Sequence, residues 1–148
     1  MKSGPVESAT LIVLGHDFDP AAISSVLGWQ PSQAWRKGDR KTFSRADGTQ
    51  GVFDGVHEWS GWKLFLQEPW RSCPLSEQLE QWAALLGERA TALEQLRRGD
   101  VSLELNCCVV TDATAVLVVP PTLLARLAAL GVSLSITFYS HGDDVATV

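Results

Sequence analysis

Apolar residues recur along the chain with two periods, and each period marks an element. Thr10-Leu11-Ile12-Val13-Leu14 is a β-branched run ending at Gly15, the pattern of a buried strand. Asp19 then offers an N-cap, Pro20 suits a first helical position, and Ile23, Val26 and Leu27 form one stripe before Gly28 stops the helix. The stretch from Trp35 to Arg45 runs into Ala46-Asp47-Gly48-Thr49, whose Asp-Gly pair predicts a hairpin or an irregular ribbon. From Val52 to Gln67 the chain reads as strand, firmest from Trp62 to Leu66. Alternation puts Trp62, Leu64 and Leu66 on one face and Trp59, Lys63 and Phe65 on the other, which predicts a central strand.

The second half begins with the longest helical pattern. Leu79, Trp82, Ala83, Leu86, Ala90 and Leu93 recur at spacings of three and four, so a helix is predicted over Ser76 to Arg98, kinked or broken near Gly87. Val101 to Val110 reads as a strand, Asp112-Ala113 as a turn and Thr114 to Val119 as a second strand, together an antiparallel hairpin. Pro120-Pro121 opens a helix over Thr122 to Leu130, Gly131 stops it, and Val132 to Tyr139 is the closing strand. Strand, helix and strand in such close succession predict a right-handed crossover with Val116 to Val119 parallel to Val132 to Ile136.

These elements predict an α+β fold: a single two-layer domain over residues 1–148, ordered from about 10 to 140. Its mostly antiparallel sheet of about four to six strands carries helices on one face and ends in one C-terminal βαβ unit. The expected core is Leu14, Ile23, Leu27, Leu64, Leu79, Leu86, Leu105, Leu117, Leu127 and Ile136. Leu11 to Trp29 and Thr114 to Val132 both read strand, short helix, then Leu-Gly-apolar, an echo that shared helix-stop chemistry explains as well as duplication does.

Composition narrows the class. At 148 residues with 45% apolar and 20% charged positions the chain belongs among folded proteins, and no apolar run approaches the roughly 20 residues of a membrane helix. The start, MKSGPVES, lacks the apolar region and cleavage site of a signal peptide, which makes the cytoplasm the expected location. A net charge of −5 argues against general nucleic-acid binding. The charge is uneven, because the stretch after Arg71 is acidic while Arg36, Lys37, Arg40, Lys41 and Arg45 crowd one short segment. Three cysteines, with Cys107 and Cys108 adjacent and facing opposite ways on a strand, are expected to be free thiols. Cys73 precedes Pro74 near a helix start, where a lowered thiol pKa is conceivable.

No Gly-x-Ser-x-Gly, HExxH, P-loop or GxGxxG spacing occurs, and the cysteines offer no zinc spacing, so no cofactor or metal is expected. His16-Asp17-Phe18-Asp19 sits between a strand and a helix, where Asp19 is already accounted for as a cap. His57 and Glu58 would point to opposite faces of a strand, and His141-Gly142-Asp143-Asp144 lies at a polar terminus. The sharpest local feature is Trp35-Arg36-Lys37-Gly38-Asp39-Arg40-Lys41, an aromatic group beside cations that suits an anionic ligand or an acidic protein. Its alternative is a solvated hairpin whose Trp folds back onto the core.

Phe18-Asp19-Pro20, the Leu27-Gly28 stop, Pro31, Trp35-Arg36-Lys37-Gly38-Asp39, the Trp62-Lys63-Leu64 strand and the closing Leu130-Gly131-Val132-Ser133-Leu134-Ser135-Ile136 resemble, in order and spacing, the bacterial domain of unknown function 4279 family. The similarity runs from about Thr10 to Tyr139. It departs from the pattern in Ser135-Ile136-Thr137-Phe138-Tyr139, which has no acidic residue beside the aliphatic position. The resemblance implies a small cytoplasmic α+β domain without an assigned activity, and it carries over no catalytic residue.

The residues themselves point to a non-catalytic binding or interaction domain. Trp35, Arg36, Asp39, Arg40, His57 and Trp59 are the candidate contact set. An acidic protein is the expected partner ahead of a small anionic ligand, and an immunity or accessory role in a bacterial toxin system falls within this class. The alternative is a small enzyme acting on an anionic substrate, with Arg36 and Arg40 holding the anion and His16, Asp17 or His57 as general acid or base. A cleft joining His16 or His57 to Trp35 would favour the enzyme.

Overall fold

The computed structural model describes residues 6–45 and 47–140. His141-Gly142-Asp143-Asp144 lies outside them. The chain runs β1 (Val6–Gly15), α1 (Pro20–Leu27), β2 (Gln33–Trp35), β3 (Arg40–Ser44), β4 (Gln50–Val56) and β5 (Ser60–Phe65). It continues through a single 3-10 turn (Trp70–Ser72) to α2 (Leu75–Gly87), α3 (Ala90–Arg98), β6 (Val101–Val110), α4 (Pro121–Ala129) and β7 (Val132–Tyr139).

Five strands form one sheet in the order β2-β5-β1-β6-β7, while β3 and β4 form a separate two-stranded ribbon. Every pairing in the large sheet is antiparallel except β6 with β7. The helices cover one face. Ala9, Leu11 and Val13 from β1, Trp62 from β5 and Leu103, Leu105, Cys107 and Val109 from β6 are buried beneath Ile23, Leu27, Leu79, Trp82, Leu86, Leu93, Leu123 and Leu127. This is the expected α+β architecture.

Local chemistry explains the helix boundaries. The Asp19 carboxylate accepts from the Ala21 N–H, and Gly28, at φ 72°, takes the left-handed conformation that ends α1. The long helical pattern divides as foreseen, into α2 and α3 around Glu88 and Arg89. Arg89 then donates to the Leu27 carbonyl at 2.8 Å and lies 3.8 Å over the Trp29 ring, which ties the break to the end of α1.

Polar atoms inside the layer are matched. The Gln78 amide accepts from the Ala9 N–H at 2.9 Å and donates to the carbonyls of Glu7 and Cys73, and Trp82 Nε1 donates to the Ala9 carbonyl. Trp62 Nε1 donates to Ser24 Oγ. Since an unmatched buried polar group costs about 1 to 3 kcal/mol, these bonds fix which way α2 and β1 face each other. Cys107 is buried and Cys108 half-buried on the opposite face, and all three thiols are free. Burial pushes the Cys107 thiol up to about 12. Cys73 is also raised, by desolvation and by the Glu77 carboxylate, rather than lowered by the helix start.

The expected C-terminal hairpin is absent. Thr114 to Val119 is not a strand and makes no hairpin with β6, and the strand parallel to β7 is β6 itself, with Leu103 opposite Val132 and Val110 opposite Tyr139. The alternation that suggested a strand is real: Ala115, Leu117 and Val119 pack against the core while Val116 and Val118 face solvent. An extended connection laid across a core shows the same period of two without any ladder. The echo with Leu11 to Trp29 loses its first half for the same reason. Of the expected core, Leu14, Leu64, Leu117 and Ile136 are only half-buried. Leu14 faces away from the helices, and Leu64 and Ile136 sit toward the sheet's margins.

Candidate functional site

The candidate residues converge where β1 and β2 end and β5 begins. The ladder sets the scaffold, since Trp35 of β2 pairs with Gly61, and Gly61 pairs with Leu14 of β1. The Trp35 indole lies directly against Gly61, so closely that any side chain there would collide with the ring. Trp35 Nε1 donates to the Trp59 carbonyl at 3.0 Å, and the His57 imidazole stacks on the indole at 4.7 Å with 20° between the planes. Lys63 Nζ lies 5.4 Å from the Trp35 ring centre. Both contacts with Gly61 and His57 occupy Trp35, which therefore serves as a strut. The aromatic surface left to solvent is that of Trp59, 54% exposed, with the His16 ring edge-on to it at 5.7 Å.

Ser60 knits the loops together. It is fully buried, and its Oγ accepts from the backbone N–H groups of Phe18 at 3.1 Å and Lys37 at 3.0 Å. One hydroxyl thus fixes the loop between β1 and α1 against the basic loop. The basic loop is a turn held by Asp39, whose carboxylate accepts from the Arg36 N–H at 2.8 Å. The backbones of Gly38, Asp39 and His57 are cross-bonded at 2.8 Å, which seats the base of the β3–β4 ribbon beside the stack.

The cations then spread over the surface. Arg36 reaches back to the Asp19 carboxylate at 3.4 Å, with both side chains more than half exposed, and Lys37 Nζ meets His16 Nε2 at 3.0 Å. Arg40 opens β3 opposite Val56 and is exposed. Desolvation and the nearby Lys41 hold the His57 imidazole below its ordinary value, and burial lowers the Lys63 ammonium. The shift favours the neutral imidazole of His57.

All six candidates, Trp35, Arg36, Asp39, Arg40, His57 and Trp59, therefore belong to one end of the sheet. The structure adds Ser60 and Lys63 to them, and brings alongside Lys37 of the basic run and His16, which the sequence offered only for the enzyme alternative. His57 and Glu58 do not sit on a strand, since β4 ends at Val56 and they form the link to β5. Ser60 gave no signal beyond a lone serine entering an apolar run, because its role depends on two loops distant in sequence.

Among the described residues two hollows lie away from this cluster, one of about 330 Å³ lined by Trp70, Ser76, Glu77, Glu80 and Gln81, the other of about 500 Å³ between α3 and the end of α4. Also among the described residues, no group of three or more His, Cys, Asp and Glu is placed to hold a metal ion, and no helix is long and apolar enough to cross a membrane. No curated protein and no solved structure matches the chain. A family model does match, over residues 5–141, and with that coverage the chain belongs to the family described as Domain of unknown function (DUF4279).

Proposed function

We propose that this protein is a non-catalytic binding domain whose contact surface is Trp59 rimmed by Arg36, Lys37, Arg40 and His57, and whose partner is an acidic protein surface. One observation supports this above the others: the exposed Trp59 ring, with His16 edge-on to it, shares one loop cluster with the exposed Arg36 and Lys37, whose backbones the Trp35–Trp59 and Ser60–Lys37 hydrogen bonds tie together. Protein interfaces draw their energy from such anchored aromatic and arginine groups, whereas small-molecule sites are concave. An immunity or accessory role in a bacterial toxin system, exercised in the cytoplasm, is one form this activity takes.

Isolation of the partner by co-purification, followed by titration with variants, tests the reading. Trp59→Ala and the double variant Arg36→Ala with Arg40→Ala should each weaken binding at least tenfold, a loss of about 1.4 kcal/mol or more. The loss from the arginines should shrink as salt is added, because ions screen exposed charges. Thermal stability should barely change, since an exposed ion pair such as Arg36–Asp19 contributes about 0 to 1 kcal/mol. Unaltered affinity in both variants would remove this surface from the function.

A second reading is favoured by the approach of His16 to Lys37 and of His57 to Trp35 within that same surface. In it the domain is a small enzyme acting on an anionic substrate, with Arg36 and Arg40 as anion holders and His16, Asp17 or His57 as acid or base. Turnover of a phosphate or carboxylate ester that disappears in His57→Gln would establish it over the binding role.

A further inference from the structure

The two edges of the large sheet are built differently. The β2 edge is three residues long, follows Pro31 closely and runs into Arg36 and Lys37. Short length, proline and charge are the usual means of keeping an edge from pairing. The opposite edge, β7, has none of them: it is eight residues of sequence VSLSITFY, with no proline and no charged side chain. Among the described residues no strand pairs with its outer side.

Apolar groups flank that edge. On the helix-covered side of β7, Leu134 and Ile136 are half-buried and Phe138 is 54% exposed. Above it α4 packs on β7 and on α2, and the Arg126–Glu80 ion pair marks the flank of α4 that faces α2. At 3.6 residues per turn Leu124 sits about 160° around the helix from Arg126, and it is 46% exposed. Leu124 therefore lies on the flank of α4 turned away from α2.

We propose that β7 is a homodimerisation edge, pairing antiparallel with β7 of a second copy to make one continuous ten-stranded sheet. An antiparallel pair of identical strands about a two-fold axis is self-complementary, and it places the helix layers of both copies on the same side. Centred on Ile136, the register sets Leu134 opposite the partner's Phe138, Ser135 opposite the partner's Thr137 and Ser133 opposite the partner's Tyr139. That register covers the exposed Phe138 with an apolar neighbour; centring on Ser135 would set it against Val132, which is already buried. Charge favours this edge as well. The chain carries a net −5, so two copies repel generally, and a strand without charge is where they can approach. The inference is independent of the binding surface around Trp59, which lies at the other side of the sheet.

Sedimentation equilibrium of the full chain should give twice the 16.1 kDa chain mass, and amide exchange across Val132 to Tyr139 should slow as concentration rises. Phe138→Lys and Leu124→Glu should each weaken association at least tenfold with an unchanged circular dichroism spectrum. Val52→Lys, at an exposed apolar position on the ribbon, should leave association as it is. A monomeric wild type, exchange across β7 that ignores concentration, or a dimer indifferent to both edge variants would each overturn the proposal.

Discussion

Tryptophan does opposite work at the two regions that matter most in this protein. Between the helices and the sheet Trp82 of α2 and Trp62 of β5 are fully buried, their indole N–H groups matched to the Ala9 carbonyl and the Ser24 hydroxyl respectively, and their surroundings are apolar side chains from several elements. At the loop end of the sheet Trp35 rests on a glycine and a histidine, and Trp59 faces solvent. The difference lies in what surrounds the ring. In the interior a ring gains stability from contact on all sides, whereas at the loop end a small number of directed contacts fix Trp35 and leave neighbouring groups free to meet a partner.

The contrast breaks most forcefully at Trp82. Trp82→Ala should destabilise the fold by about 3 to 5 kcal/mol, through lost burial, a cavity and an unmatched Ala9 carbonyl, as chemical denaturation would measure. If the loss were below 1 kcal/mol, the layer between α2 and β1 would not be the tight interior described. The effect at the loop end should be smaller and more local. Gly61→Ala forces the Trp35 indole from its seat at a cost of about 1 to 3 kcal/mol. Tryptophan fluorescence should shift, and partner binding should fall although no contact residue has been altered. Unchanged fluorescence would show that Trp35 is not seated on Gly61.

The smallest effect is on pH dependence. The His57 pKa is depressed by desolvation and Lys41, so folding favours its neutral form. The stability this contributes is complete above the ordinary histidine value of 6.5 and is lost as pH falls, because the unfolded chain takes up its proton first. Proton NMR should place the His57 midpoint below 6.5, and His57→Gln should flatten the decline in melting temperature on acidification. A midpoint above 6.5 would mean that Asp39, which pulls the other way, outweighs burial.

Much of the fold was legible because the signals were local. Asp19-Pro20 and Gly28 bracket α1 through caps that need no knowledge of the rest of the chain, and the three-and-four spacing of Leu79, Trp82, Ala83 and Leu86 marks the buried stripe of α2. Thr114 to Val119 misled because side-chain alternation reports extension and facing but says nothing of hydrogen bonding. The candidate site divides the same way. The basic run and its tryptophan stand out in the sequence, yet nothing there couples Ser60 to Phe18 and Lys37, or His16 to Trp59.

The sequence by itself determined the helix stripes, their stops and the concentration of cations after Trp35, since each follows from residues within a turn or two of one another. Only the tertiary structure decided that β6 rather than Thr114 to Val119 pairs with β7, and that Trp35 is a strut while Trp59 is the exposed ring. Strand pairing and ring burial depend on which distant segment arrives alongside, and long-range closure, unlike a cap or a turn, leaves no fixed spacing in the chain.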